Sequence, residues 1–566
     1  MSSGTASSES DLAATNTDSP AKPPDVNAAA AAFQATLKAN PDDVPALLGL
    51  AKLQIRAGRG AAARPGLQRA RTLAPENADV LQQLALCDLA DGNDAAAETL
   101  ARAAVALDGN APSRERLALL AETLQRQFRN REALDVREQL VAVDPENHAL
   151  ESSLLFQRNY FEWPDPTAEF VRARQWDERH TRRLRPATRT YANDRDPHRR
   201  LRVGYVSPDF RWHAVAHFAQ PVLTAHDRTA VEIFCYANHT QGDLNSRRFE
   251  ALADHWIKVN ELSDEALAER IRADGIDVLV DLAGHSAHHR LMVFARQPAP
   301  VQATWLGYCH STGLTAIDYR IVDEVVEPSG WAEGLSAETV VRLPHGFHCF
   351  APPAENPPVR PSPASLGAPV TFGSFNNAQK HTPEVIALWS EVLKAVPGSR
   401  LLLKSSAYNG TATRLWFLRR FAENGIEAGR VRLTSSTSSA AEHWSTFGLI
   451  DVALDPFPYN GTTTTCDAFW MGVPLVTLEG RSHRARVGMS LLQQIGRPEW
   501  IAANPEEYVT LARNLAEEAW TGRFDRAALR EAMRASSLCD ARGLAGRLES
   551  AYRTMWRTWL GAPVVA

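Results

Sequence analysis

The chain has 566 residues, 44% of them apolar and 22% charged, with a formal net charge of −5. That is too long for one hydrophobic core and suggests about three or four domains of a globular protein. No long basic run points to nucleic acid, no apolar run is long enough to cross a bilayer, and the six scattered cysteines lack CxxC or zinc spacing. The expectation is a cytoplasmic protein with no nucleic-acid or membrane partner.

Residues 1–25 are rich in Ser, Ala, Asp and Thr and lack both large apolar side chains and a secretory h-region, so a disordered tail is expected there. Over 26–150 a period emerges. Pro41 and Pro75 lie 34 residues apart, and the matching turn at Asp108–Gly109 lies 34 further on. The pattern ends at Pro145. Leu47, Ala51, Ala63, Leu67 and Ala70 share a phase with Leu81, Ala85, Ala97, Ala101 and Ala104, and again with Leu117, Ala121, Ala133, Arg137 and Leu140. Small residues where two helices cross, then proline at the exit, look like tetratricopeptide repeats, with a half-unit around Ala29 and Phe33 before them. Such hairpins bury their apolar faces by stacking and leave a groove suited to a polypeptide, or serve only as scaffold.

Residues 151–200 read as a linker with aromatic anchors, including Tyr160, Phe161, Trp163 and Trp176. From 201 short β-rich runs alternate with helical stretches: LRVGYVS, VEIFCYA, IDVLVDL, VQATWLG and YRIVD. This predicts a doubly wound parallel lobe over 201–350. The proline-rich stretch 351–369 reads as an extended connection, and VTFGSFN, SRLLLKS, RVRLTSS, LIDVALDP and GVPLVTLEG then predict a second such lobe over 370–545. A C-terminal helix and tail occupy 546–566. Two Rossmann-like lobes in series place a ligand in the cleft at the carboxyl ends of their strands.

The segment 455–480 carries the strongest chemical signal. A strand ends near Asp455, a turn with Asn460 and Gly461 follows, and Thr462, Thr463, Thr464 and Thr465 open a helix that contains Asp467. Unpaired N–H groups, a positive dipole end and threonine hydroxyls suit a diphosphate, and Asp467 one turn inside suits ribose hydroxyls. The plain alternative is a run of capping threonines with Asp467 paired to an arginine. A second polar turn carries Asn376, Asn377 and Lys380 before a helix capped by Thr382. An ammonium there would neutralise a leaving diphosphate; otherwise it is a solvated lysine. After the first strand of the first lobe come Asp209, His213 and His217. Two histidines four apart share a face if the stretch is helical, which fits a base or orienting role as well as a structural one. No HExxH or third metal ligand accompanies them. Leu306, Gly307 and Tyr308 end another strand, His285 follows a further one, and His443 lies in a helix start after the 430–436 run. The triplet Asp194–Asp196 sits in an arginine-rich stretch, away from any strand end, and is not taken as a metal motif.

The pieces LRVGYVSPDF, RPAPVQATWLGY, STGLTAIDYRIVD, GSFNNAQK and NGTTTTCDAFWMGVPLVT, in this order, resemble the O-GlcNAc transferase family with its plant Spindly branch. The resemblance implies a GT-B-type, inverting, metal-independent transferase that needs no cofactor and moves GlcNAc from UDP-GlcNAc to Ser/Thr hydroxyls of proteins. It implies that Lys380 contacts the diphosphate, Thr463 and Thr464 bind phosphate, Asp467 binds ribose and Asn377 lies beside the diphosphate. His443 would lie near the nucleotide, His213 matches a proposed catalytic base, and Leu306, Gly307 and Tyr308 would border the sugar. Thr462 stands where animal members carry histidine, and GHSAHH and GTTTTC look closer to the Spindly branch, whose plant members use GDP-fucose. Protein O-fucosyl transfer is therefore the second reading, and a repeat-based binding protein with an inactive transferase relic the third.

Overall fold

The structure, a computed structural model, describes residues 26–161, 163, 165–353, 357–437 and 439–562. The expected disordered tail lies outside the described residues. The chain forms two compact units, one of residues 1–150 with 406–419 and one of 151–405 with 420–566.

In the first unit three helical hairpins follow one another: Val44–Arg56 with Gly60–Leu73, Ala78–Ala90 with Asp94–Leu107, and Arg114–Arg126 with Asn130–Val143. The lone helix Val26–Ala39 precedes them, and Phe33 packs where Gly49 has no side chain; a Cβ there would meet its ring at 2.4 Å. The in-phase small residues are the packed ones: Ala51, Ala63, Ala85, Ala97, Ala101 and Ala121 are all buried. Side-chain caps from Asp43, Asn77 and Ser113 begin the first helix of each hairpin. Phe128 adds a small aromatic cluster with Trp416 and Phe417, at centroid separations of 5.6 and 4.8 Å.

The second unit holds two parallel sheets. The first contains β1 (Leu201–Ser207), β2 (Val231–Ala237), β3 (His255–Lys258), β4 (Val278–Asp281), β5 (Val301–Trp305), β6 (Tyr319–Asp323) and β7 (Thr339–Leu343), in the order β3-β2-β1-β4-β5-β6-β7. The second contains β8 (Thr371–Ser374), β9 (Arg400–Lys404), β10 (Val431–Thr434), β11 (Val452–Leu454), β12 (Leu475–Leu478) and β13 (Ile501–Ala502), in the order β10-β9-β8-β11-β12-β13. Every ladder is parallel. Inner strands such as β1, β4 and β5 are buried on both faces, which is why they read as continuous apolar runs. In each sheet the order reverses between two neighbours, β1 and β4 in the first, β8 and β11 in the second. A crevice opens at such a switch point.

Two expectations need correction, and three strands go beyond the runs read from the sequence. Residues 151–200 are not a simple linker. They carry most of the helix His148–Gln157 and all of Pro166–His180. Trp176, fully buried, stacks edge-on against His285 of the first lobe, and Arg174 donates to the Gly313 carbonyl. The C-terminal helix begins earlier than expected, at Ala541, and runs to Leu560. It returns to the first lobe, where Tyr552 and Tyr205 hydroxyls meet at 3.2 Å and Glu549 pairs with His226 at 2.8 Å. Strands β3, β7 and β13 were not anticipated. β3 and β7 are edge strands with exposed positions, and β13 is only two residues long.

Candidate active site

The two loops at the switch point of the second sheet bring the predicted polar residues together. After β8, Asn377 caps a short 3-10 turn, Ala378–Lys380, accepting from the Gln379 N–H at 3.0 Å. The turn aims Lys380 at the loop after β11. Its ammonium donates to the Asn460 carbonyl at 2.7 Å and lies 4.0 Å over the Tyr459 ring. Asp455, at the end of β11, is buried, accepts from Gly461 N–H at 2.7 Å and Thr477 hydroxyl at 2.8 Å, and pulls electrostatically on Lys380. Burial pushes the Lys380 ammonium below its ordinary range and the Asp455 carboxyl above its own; their attraction opposes both shifts.

The helix Thr463–Trp470 starts without a side-chain cap: Thr462 occupies the capping position and makes no capping bond. Helices starting after Thr382, Asn504, Asp525 and Asp540 are all capped by those side chains. Thr463 and Thr465 hydroxyls are buried without a hydrogen-bond partner, and Thr464 donates to Asn376 at 2.9 Å. Gly461 has no room for a side chain, since a Cβ would lie 2.7–2.9 Å from Thr465, Asn376 and Thr464 oxygens. The result is a polar cradle with an ammonium at one side and a free helix start at the other.

Asp467, one turn inside, is bound not by an arginine but by His443. Nε2 of that ring lies 3.0 Å from Asp467 Oδ2. His443 sits in the helix Ala440–Thr446, as expected.

The first lobe faces this cradle with two segments. After β5, Leu306 takes a positive φ of 65° and Gly307 passes so close to β4 that a Cβ would sit 2.0 Å from the Leu282 carbonyl oxygen. Tyr308 is thereby tucked against His285 at 5.4 Å rather than opened to the cleft, with its hydroxyl 3.4 Å from the Leu155 carbonyl. The residue presented to the cradle is Cys309, whose thiol interacts with Tyr459 and with the charge of Lys380. After β1, the helix is Ala214–Ala225, and His213 is its cap, outside the helical face shared with His217. His213 Nδ1 accepts from Val215 N–H at 3.3 Å and lies 3.4 Å from Asp209 Oδ2. Nδ1 thus faces both a backbone N–H and a carboxylate, and these two neighbours orient the ring at the start of the helix. His217, one turn further, is lowered from the ordinary histidine value by burial and feels Asp467 and His443 of the other lobe.

Lys380, Thr462, Thr463, Thr464, Asp467 and His443 thus converge; Asn377 stands at the rim, exposed, and the buried Asn376 takes the inner place. Asn376, Asp455, Asn460, Lys404 and Cys309 complete the site; none of them was expected in a binding role, although Asn376, Asp455 and Asn460 were named within the two turns. Asn376 and Asn460 lay inside quoted motifs, whereas nothing in the local pattern singled out Lys404. Among the described residues no group of three or more His, Cys, Asp or Glu side chains is arranged to hold a metal ion, and no helix is long and apolar enough to cross a membrane.

Residues 180–350 and 365–548 match the glycosyl transferase family 41 profile, and residues 25–71 match a tetratricopeptide repeat. Among curated relatives, a probable UDP-N-acetylglucosamine–peptide N-acetylglucosaminyltransferase SPINDLY of Arabidopsis thaliana is 38% identical over 421 residues, 74% of this chain and 46% of the relative. The probable enzyme SEC of the same plant is 34% identical over 373 residues, 63% of this chain and 37% of that protein. The chain therefore spans less than half the length of these relatives. A solved structure of an O-GlcNAc transferase mutant from Thermobaculum terrenum superposes with a TM-score of 0.80 at 36% identity, covering 94% of this chain and 99% of that one. With the family profile matched over both lobes and the repeats ahead of them, the chain belongs to glycosyl transferase family 41.

Proposed function

We propose that this chain is an inverting protein glycosyltransferase that moves GlcNAc from UDP-GlcNAc to Ser/Thr hydroxyls of acceptor proteins. The observation that carries this reading is the meeting of the Lys380 ammonium with the Asn460–Gly461 turn that leads into the uncapped helix Thr463–Trp470. A diphosphate seated there gains charge neutralisation from Lys380, amide donors from the helix start and hydroxyl donors from Thr463 and Thr465. Asp467 follows one turn along that helix, held by His443 from the helix Ala440–Thr446, where the nucleoside's ribose would lie.

In the reaction the acceptor oxygen attacks the anomeric carbon on the face opposite the diphosphate. The C1–O bond to phosphate breaks and the electron pair stays on the diphosphate, where Lys380 stabilises it, while the acceptor hydroxyl gives up its proton to a phosphate oxygen of that departing diphosphate. These groups meet the charge themselves, so the proposed reaction invokes no metal. His213, its ring oriented through Nδ1 by Val215 N–H and Asp209, holds the acceptor or sugar at the rim. The repeats would select acceptor proteins, and the six unpaired cysteines fit a reducing, cytoplasmic setting.

The deciding experiment is a donor screen with the full chain and a generic Ser/Thr peptide, read by mass shift. A gain of one N-acetylhexosamine from UDP-GlcNAc is expected. Turnover of GDP-fucose alone would overturn the donor assignment, and no turnover together with no thermal shift by UDP would favour a binding protein.

A further inference from the structure

The second lobe also holds a buried polar chain that the transfer chemistry leaves unused. Lys404, the last residue of β9, is only 5% exposed. Its ammonium lies 2.5 Å from His443 Nδ1 and 4.9 Å from the Phe375 ring. Among the described residues it makes this one hydrogen bond and no ion pair within 4.0 Å; Asp467 and Glu442 act on it only through space. Burying an ammonium with one neutral partner is costly for folding, and such a group is commonly kept for a task.

Donor and acceptor chemistry gives the chain a direction. An ammonium has three donors and no acceptor, so Nδ1 of His443 accepts. The ring proton is then on Nε2, which donates to Asp467 Oδ2 at 3.0 Å. Burial pulls Lys404 down to about 8, so at neutral pH the ammonium form still dominates. Without a donor at position 404 Nδ1 loses its partner and the imidazole is held by Asp467 alone. A ring pinned at one nitrogen is free to swing, and no longer fixes which Asp467 oxygen it holds and which it leaves open.

We propose that Lys404 is a positioning residue for the donor nucleotide: acting through His443, it holds Asp467 with one oxygen on the imidazole and the other open to a sugar hydroxyl of the nucleoside. This rests on the reading of Asp467 as the ribose acceptor.

The test measures UDP affinity by calorimetry and UDP-GlcNAc kinetics on full-chain variants. Lys404→Met removes the donor and is expected to raise the UDP Kd about tenfold, with KM following and kcat within about threefold of the natural chain. Lys404→Gln restores an N–H donor without the charge and is expected to stay within about threefold in Kd. His443→Ala is expected to weaken UDP similarly, and the Lys404→Met/His443→Ala double variant to be no weaker than the worse single variant. An unchanged Kd in Lys404→Met overturns the proposal. So does a Gln variant as weak as the Met variant, additive losses in the double variant, or a fall in kcat at constant Kd. Asp467→Ala, measured in parallel, separates the two readings. If it binds UDP normally, the ribose assignment and this proposal fall together; if it weakens UDP while Lys404→Met does not, only the role of Lys404 falls.

Discussion

Replacing Lys380 by methionine removes the ammonium while keeping most of the side chain's volume. In the free protein the loss is small: one hydrogen bond to the Asn460 carbonyl at 2.7 Å and a cation–π contact at 4.0 Å, set against relief from burying a charge. The melting temperature should stay within about 2 °C of the natural value. The cost falls on the reaction. A unit charge about 4 Å from an ammonium interacts by about 4 kcal/mol at an effective dielectric near 20. The leaving diphosphate gains charge only as the C1–O bond breaks, so most of that interaction is realised in the transition state. Comparable oxyanion donors are worth about 3–4 kcal/mol, a loss of about 10²–10³ in kcat. The assay is release of UDP from UDP-GlcNAc with a Ser/Thr peptide, alongside UDP calorimetry. A kcat lowered at least a hundredfold is expected, with the KM for UDP-GlcNAc changed much less and UDP, which carries the full leaving-group charge, bound more weakly. Retention of more than a tenth of the natural kcat would refute the placement of this charge at the leaving group.

Asp467→Ala should weaken UDP by about tenfold or more, as expected for loss of a charged acceptor, while kcat at saturation changes less; an unchanged Kd counts against ribose binding. Gly307→Ala would drive a Cβ to 2.0 Å from the Leu282 carbonyl, and should cost about 1–3 kcal/mol of stability by denaturant melt as well as activity; a neutral change would show that the β4–β5 approach is looser than drawn. His348 is buried between Phe218 and Phe347, and burial holds it neutral, down to about 3. Its folded value lies below the unfolded one, so the unfolded chain binds the extra proton and stability is lost as pH falls through about 6.5. Between pH 7 and 5 the natural chain should lose about 2 kcal/mol more than His348→Phe, and parallel pH profiles would contradict this.

Much of the fold was legible because its signals are local. The 34-residue period marks the repeats through Ala51, Ala85 and Ala121, positions where only a small side chain lets two helices cross. β1, β2 and β6 coincide with their apolar runs residue for residue, since interior parallel strands bury both faces. Edge strands β3 and β7 escaped because half-exposed strands lose that continuity. The helices within 151–200 escaped for another reason. The run of arginines reads as a connection, and only tertiary contacts, Trp176 on His285 and Arg174 on the Gly313 carbonyl, show why the helix there is folded. In the site, Lys380 and the threonine helix share motifs with turn residues and could be read. Lys404 could not: RLLLK is an ordinary strand, and its lysine matters only because parallel pairing of β9 beside β8 and β10 brings it against a histidine 39 residues away.

The site is also where the chain departs from its own habits. Many other helices close their first N–H groups with an Asp, Asn, Ser or Thr side chain, although the second helix of each repeat hairpin does not. Here Thr462 leaves the start open, Thr463 and Thr465 point buried hydroxyls at nothing in the protein, and two lysines are held below their ordinary range by burial. Each feature alone costs stability. Packing does not require them, because Gly461 and Asp455 already fix the loop. What they share is a preference for an anion bearing several oxygens, placed between the two strand ends where the sheet order reverses. On the proposed reading, an open helix start, two unpartnered hydroxyls and an ammonium gathered at one strand-end crevice are arranged for a ligand that completes them, and a diphosphate has the charge and acceptors to do so.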